Sequence, residues 1–457
     1  MTEAVVVTGQ PGGLSSRLPT GDAAVACVVT ALTAAARLQR QRCGHRPRVD
    51  LDAAHVAAAV RSEAHLRLNG RSLGSGFAPL SRFWRAADGW VRTHANYPWH
   101  EQALTRALGA DADVEAVGSA IGERSAAQVE ADVVADGGVA AAVRTVEQWR
   151  AHPQGRAVAR QPLISSAALD GARPRRHPAA ALPAARLRVL DLTRVIAGPV
   201  ATRYLGALGA DVLRLDPPHR PELASQCYDG LLGKRSALLD ARTSSGLRQL
   251  HELLDGADVV VHGYRPGALT AFGLDADALA DRHPGVVAVS MSAWGSGPWW
   301  ARRGFDSIVQ AACGIAMVES PDGQRPGRLP CQLLDHGTGY LAAAAALDGV
   351  RRQSETGGTH IFELSLAATA AWLLTQQTSA TSTAQPSMAG RPGAVPPTPA
   401  DPLSAEWLAT LRSDAGPVTV ITPPGRLGGQ PLSWPHRLTS YGQDQPSWLT
   451  RRPQRRF

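Results

Sequence analysis

The chain has 457 residues, 44% of them hydrophobic and 19% charged, with a formal net charge of +8. That length carries two or three domains with a sizeable core, and the balance is that of a globular enzyme rather than a disordered chain. No apolar run reads as a membrane span, and five scattered cysteines form neither a disulfide framework nor a zinc site. The arginines are dispersed, which argues against a nucleic-acid surface; only the terminal RRPQRRF is a basic patch, and it reads as a solvated end. The opening MTEAVVVTGQPGG lacks the basic and apolar blocks of an export signal, so the expected location is cytoplasmic.

Along the chain, residues 22–60 echo residues 335–373 at a constant offset of 313. Asp22 falls on Asp335, Gly44 on Gly357, Asp50 on Glu363 and Ala54 on Ala367, and Arg-Leu-Pro precedes both copies. The order acid, helix, glycine, strand, acid, helix reads as a duplication. Between the copies, NGRSLGSGF (69–77) is an aperiodic glycine loop. The stretch 77–109 reads as strand, Asp88-Gly89 turn, strand and amphipathic helix. Residues 110–150 read as helical, and RPRRHPAAALPAA (173–185) as a linker.

From 187 the pattern becomes strand and helix in alternation. LRVLDLT (187–193), ADVLRLD (210–216), ADVVVHGY (257–264) and GVVAVSMSAWG (285–295) are strands. The stretches 198–209 and 244–256 are helices, the first with Pro199 near its start. Such alternation predicts an α/β protein with a doubly wound parallel sheet, whose ligands sit at the carboxyl ends of the strands. The tail after 375 reads as irregular, with one strand at 416–422. The expected units are a partial repeat (1–76), a small α/β domain (77–150), a returning linker (151–185), a Rossmann-like domain (186–375) and the tail (376–457).

After LRVLDLT comes RVIAGP, not GxGxxG, so a dinucleotide fingerprint is absent; GxSxG and HExxH are absent as well. What remains is a set of strand-end loops with small and basic residues. Lys234, in LLGKRSALLD, is the sole lysine among 47 basic residues. A lysine is a compact point charge suited to phosphate, where arginine prefers a planar bidentate partner. Lys234, Arg235, Arg265 and Arg303 can converge on one anion with several phosphates; the alternative is four unrelated surface cations. Asp335, heading DHGTGYLAAAAALDGV, is by residue type a helix N-cap, a role compatible with reactivity.

VLDLTRVIAGPVATRYLGALGADVLRLD, GKRSALLD, ADVVVHGYRPGAL, GLDADAL and LLDHGTGYLAAAAAL, in this order, resemble the class III CoA-transferase (CaiB/BaiF) family. FAPLSRFWRAADGWVRTHANYP is similar to that family's small domain, though here it precedes the sheet domain. The resemblance implies a Rossmann-like CoA-binding domain plus a small α/β domain in an interlocked architecture. It implies a CoA-transferase working through an aspartyl-CoA thioester, with Asp335 as nucleophile. Coenzyme A, a substrate rather than a bound cofactor, would be contacted by Val195, Ile196, Ala197, Lys234, Arg235, Gly263, Tyr264, Arg265 and Arg303. Gly70, Gly74 and Gly76 would belong to a loop covering the intermediate. Partners would be acyl-CoA and carboxylates, with no metal, nucleic acid or membrane, in a homodimer or an intramolecular pseudo-dimer.

Two departures from the family pattern are Gly263, where the family often has Asn, and LLGKR in place of NR-x-KR. The rival within the superfamily is an α-methylacyl-CoA racemase, which pairs an Asp with a His in GHD-x-N. Here Gly304-Phe305-Asp306-Ser307 puts Phe where that imidazole would be, favouring transfer. The rival from another class is a non-catalytic CoA-binding protein.

Overall fold

A computed structural model describes residues 5–45, 47–74, 76–383, 403–435 and 437–449, with side chains of 377–383 left aside. The basic RRPQRRF end lies outside the described residues. Seven strands form the main sheet. In spatial order they are Arg235–Leu238, Asp211–Asp216, Arg188–Leu192, Val259–His262, Val287–Ser292, Thr359–Ser365 and Ser165–Leu169. All pairings are parallel except the last, where Ser165–Leu169 runs antiparallel at the edge. Valine and leucine fill the central strands because both faces are covered, one by helices 197–207 and 333–356 and the other by 244–255 and 276–282. Two glycines set these approaches. A Cβ on Gly198 would lie 2.2 Å from the Thr193 Cβ, and one on Gly339 would lie 2.5 Å from the Ala197 carbonyl.

The repeat is structural as well as sequential. Helix Thr20–Cys43 and helix Leu333–Thr356 both have 24 residues, and the same offset of 313 relates their ends. Gly44 and Gly357 follow them, and strands Val49–Asp52 and Thr359–Ser365 end at equivalent residues. The two helices pack in parallel: a Cβ on Gly337 would lie 3.3 Å from Cys27 Sγ, and the Gln41 side chain donates to the Arg351 carbonyl at 3.1 Å. The sheet edge is repeated too. Val5–Thr8 runs parallel to Val49–Asp52, and Arg426–Leu427 runs antiparallel on its other side. These three stand where Val287–Ser292, Thr359–Ser365 and Ser165–Leu169 stand in the full sheet. The first copy keeps the edge of a sheet and lacks the rest.

Three sequence expectations change. Helix 20–43 is in fact long and apolar enough to cross a membrane by length and composition, but most of that stretch is buried against the core. Within 110–150 a strand, Ala140–Ala142, interrupts the helices 114–122, 126–135 and 146–151. It completes the sheet begun by Phe83–Arg85 and Trp90–Thr93, which satisfies that edge. The tail is not irregular over 403–449: Leu408–Ser413 and Gly416–Ile421 form a hairpin that pairs with Arg67–Leu68. Trp434 and Trp448 then strap it to the sheet domain by indole hydrogen bonds to the Arg203 and Leu253 carbonyls.

Candidate active site

A cavity of about 500 Å³ opens at the carboxyl edge of the main sheet. Its walls are the loops after successive strands: Arg194, Val195 and Ala197; Asp216 and Arg220; Asp240 and Arg242; Gly263, Tyr264 and Arg265; Met291 to Ala293; and Arg302 to Phe305. Asp335 closes its depth, and Tyr97, Trp99 and His100 of the small domain form the facing wall. The small domain that continues from the first repeat thus covers the acid of the second.

The small domain, with its own core around Trp84, Leu104, Ile121 and Val133, is docked by charge and rings. Tyr97 Oη donates to Glu222 at 2.5 Å, and Glu222 in turn accepts from Arg214 at 3.0 Å. Arg194 lies over Tyr97 at 5.0 Å and Arg220 over Trp99 at 4.5 Å. Arg302 reaches Glu130 at 2.9 Å. Glu222 also accepts from the Val195 amide at 3.0 Å and so holds Val195 at φ 67°. A β-branched residue at positive φ is strained, and such strain gathers where a loop must present its backbone to a ligand.

Asp335 is not an N-cap. Helix 333–356 begins at Leu333 with Gln332 preceding it, so Asp335 sits in the first turn. Its amide donates to Asp306 Oδ2 at 3.1 Å, leaving the Asp335 carboxyl without a hydrogen-bond partner among the described residues. Burial pushes that carboxyl well above the usual range, and the neighbouring Asp306 and Glu63 carboxylates push the same way. Asp306 is itself raised to about 6 by burial, against the Gln310 amide that it accepts from. Asp22 likewise lies in the first turn of its helix, where Pro19 is the cap residue; unlike Asp335 it is exposed.

Of the expected cations, two reach the cavity. Arg265 and Arg303 line it together with Arg220, and none of the three makes an ion pair among the described residues. Burial lowers the Arg303 guanidinium, and the charges of Arg265 and Arg220 add to that. The same region holds His100 neutral: burial, then Arg303, Arg220 and Arg194, push its imidazole down to about 3. Unpaired arginines facing one cavity are an anion site in waiting.

Lys234 is a correction. Its side chain is fully buried and its Nζ stands 2.9 Å from Asp191 Oδ2, which is equally buried. Asp191 also accepts from the Thr193 amide at 2.9 Å, the Thr193 hydroxyl at 2.5 Å and the Thr202 hydroxyl at 2.7 Å. The lysine therefore anchors the loop after 192 from behind instead of facing a ligand. Arg235 is turned away as well, paired with Asp211 at 2.9 Å and donating to the Ser447 carbonyl. Ile196 is buried in the core while Val195 and Ala197 on either side line the cavity. Gly70, Gly74 and Gly76 are exposed and outside the cavity wall. Their segment is held by the pairing of Arg67–Leu68 with the 416–421 strand and by Asn96 donating to the Gly76 carbonyl at 2.7 Å.

Sequence reasoning missed Arg220, Tyr97, Trp99 and His100. Arg220 follows the strand 211–216, so the strand-end rule could have found it. The aromatic residues come from a segment remote in sequence, and nothing local places them.

Residues 185–401 match the family model for CoA-transferase family III. A probable fatty acyl-CoA transferase of Mycobacterium tuberculosis is 32% identical over 201 residues, 41% of this chain and 51% of the relative. The formyl-CoA:oxalate CoA-transferase of Streptomyces coelicolor is 32% identical over 182 residues, 37% of this chain and 44% of the relative. Human succinyl-CoA:glutarate CoA-transferase is 30% identical over 188 residues, 38% and 43% respectively. The chain thus spans about half the length of the curated relatives it matches. Among solved structures, a CAIB/BAIF family protein from Brucella suis aligns at 25% identity and TM-score 0.40, covering 52% of this chain and 65% of that one. The matched stretch, residues 185–401, takes in Asp335 and every loop of the main sheet that walls the cavity.

Proposed function

We propose that this chain transfers coenzyme A between an acyl-CoA and a carboxylic acid, with Asp335 as the covalent carrier. The observation that carries this reading is one cavity where, among the described residues, the Asp335 carboxyl has no hydrogen-bond partner and Arg220, Arg265 and Arg303 make no ion pair. The arginines would hold the phosphates of CoA, and the loop 193–199 would pass its pantetheine arm toward Asp335.

In the reaction, the Asp335 carboxylate attacks the thioester carbonyl. A C–O bond forms, the C–S bond breaks and CoA leaves as thiolate, giving a mixed anhydride. The thiolate then attacks the aspartyl carbonyl and releases the donor acid as carboxylate, leaving an aspartyl-CoA thioester. The acceptor carboxylate runs the same steps in reverse and regenerates Asp335. One thioester replaces another, so no ATP is consumed. The aromatic wall of Tyr97, Trp99 and Phe305 excludes water from the anhydride. The duplicated helix pair would supply within one chain the interlocking that the family resemblance implies, so that one chain makes one site.

The test is isotopic: unlabelled acyl-CoA is mixed with its own labelled free acid, and label entering the thioester is followed. Exchange abolished by Asp335→Asn supports the reading; undiminished exchange in that variant removes it. Epimerisation beside the thioester keeps one observation in its favour, since His100 lines the same cavity with an unpartnered Nδ1. Its imidazole, held neutral down to about pH 3, is a weak proton donor, and solvent deuterium at the acyl α-carbon would reveal it.

A further inference from the structure

A second cavity of about 610 Å³ adjoins the first. It lies under the loop 264–276, against the sheet face opposite helix 333–356, and Met291 and Ser292 border both cavities. Leu274, Leu279, Ala288 and Ile361 give it an apolar part, and the sheet strands beneath add Ser165, Ser290, Ser292 and Ser365. Its charged members, Arg160, Arg265, Asp275 and Glu363, are all exposed and therefore stand at the rim. Two titratable groups are set deeper and kept neutral by burial: His262, which it pushes down to about 4, and the Tyr264 phenol, which it pushes up.

We infer that this second chamber receives the acyl chain, and that the substrate acid is an apolar monocarboxylic acid rather than a dicarboxylic one. This rests on the reading of Asp335 as the acyl carrier. In the mixed anhydride the acyl carbon is bonded to the Asp335 carboxylate, so the chain must leave the first cavity from that point. The first cavity's exposed side is occupied by the arginines that suit phosphates. Met291, Ser292 and Leu366 border Asp335's cavity, and Leu364 and Ser365, just before Leu366 in the chain, border the second chamber. A chain passing that edge meets Met291 and Leu366 beside Ser292 and Ser365, and among the described residues no buried cation stands there for a second carboxylate. A distal carboxylate would lose its hydration without a partner, at a cost that a methyl end does not incur. Each further buried methylene instead favours binding, by about 0.8 kcal/mol.

The experiment is a series of saturated acyl-CoAs from propionyl to dodecanoyl, with succinyl-CoA beside butanoyl-CoA. Equilibrium affinity is measured on the Asp335→Asn protein, and exchange on the wild type. Affinity should rise about tenfold or more from propionyl to dodecanoyl, and butanoyl-CoA should bind more tightly than succinyl-CoA. Ser290→Phe, which fills the chamber from its sheet face, should lower the dodecanoyl-to-propionyl ratio about tenfold. A flat affinity series, a preference for succinyl-CoA, or an unchanged ratio in a folded Ser290→Phe protein would overturn the inference. If Ser290→Phe does not fold, the affinity series on Asp335→Asn decides alone. Absence of exchange with every acyl-CoA would count against the transferase reading, while the affinity series would still report on the chamber.

Discussion

Replacing Lys234 by Met should unfold far more than it unbinds. The ammonium and the Asp191 carboxylate are both fully buried and 2.9 Å apart. Burial lowers the ammonium to about 8 despite Asp191, and Lys234 in turn helps hold the Asp191 carboxyl below its usual range, so both are charged at pH 7. Removing one partner strands the other charge in the core, which costs about 3–5 kcal/mol. The Thr193 and Thr202 hydrogen bonds to Asp191 temper that loss, yet it remains a large part of a typical stability of about 5–15 kcal/mol. Lys234→Arg should also lose stability, by about 1–3 kcal/mol, because a guanidinium overfills the space of an ammonium. Urea unfolding of the single variants and of Lys234→Met with Asp191→Asn completes the cycle, and the double variant should recover part of the loss. Salt should leave these differences nearly unchanged, since the pair is shielded from solvent ions. A loss below about 1 kcal/mol, or unaltered stability with a salt-dependent loss of CoA affinity, would refute the buried-anchor assignment.

Arg265→Ala and Arg303→Ala should each weaken CoA binding about tenfold at low ionic strength, with the difference shrinking in salt; isothermal titration across a salt series reads this. Asp335→Asn should raise stability at pH 7 to 8. The folded state holds this proton more tightly than the unfolded chain, so wild-type stability falls as pH climbs from the ordinary carboxylate range through the raised value. The variant's thermal midpoint should therefore match the wild type in acid and exceed it above neutrality. For the same reason kcat/KM of exchange should rise with pH as Asp335 ionises, and Asp306→Asn, which removes a neighbouring negative charge, should move that limb to lower pH. Tyr97→Phe deletes the 2.5 Å bond to Glu222 and should raise KM with little change in the fold, as kinetics beside circular dichroism would record.

The strands and helices of residues 187–365 were legible because a fully covered parallel sheet writes continuous apolar runs separated by glycine-rich turns. The duplication was legible because alanine-rich helix, glycine and strand recur at one offset, and the structure keeps that offset to the residue. Asp335 was legible as a residue, but not its place in the helix, since no local signal makes Gln332 rather than Asp335 the cap residue. Lys234 was misread for a physical reason: a lone basic residue before a short strand looks solvent-facing until the strand's neighbours are known. Only the fold sets Asp191, 43 residues earlier, against it. The aromatic wall depends on how the small domain docks, which tertiary contacts such as Tyr97 with Glu222 decide.

The central claim is that Asp335, and not its repeat partner Asp22, carries the acyl and CoA groups. The direct measurement is to incubate the protein with acyl-CoA, trap with hydroxylamine, and map the resulting hydroxamate by peptide mass spectrometry. The account predicts the adduct at Asp335, absent in Asp335→Asn and unaffected in Asp22→Asn. An adduct at Asp22, or exchange that proceeds in Asp335→Asn with no adduct, would contradict it.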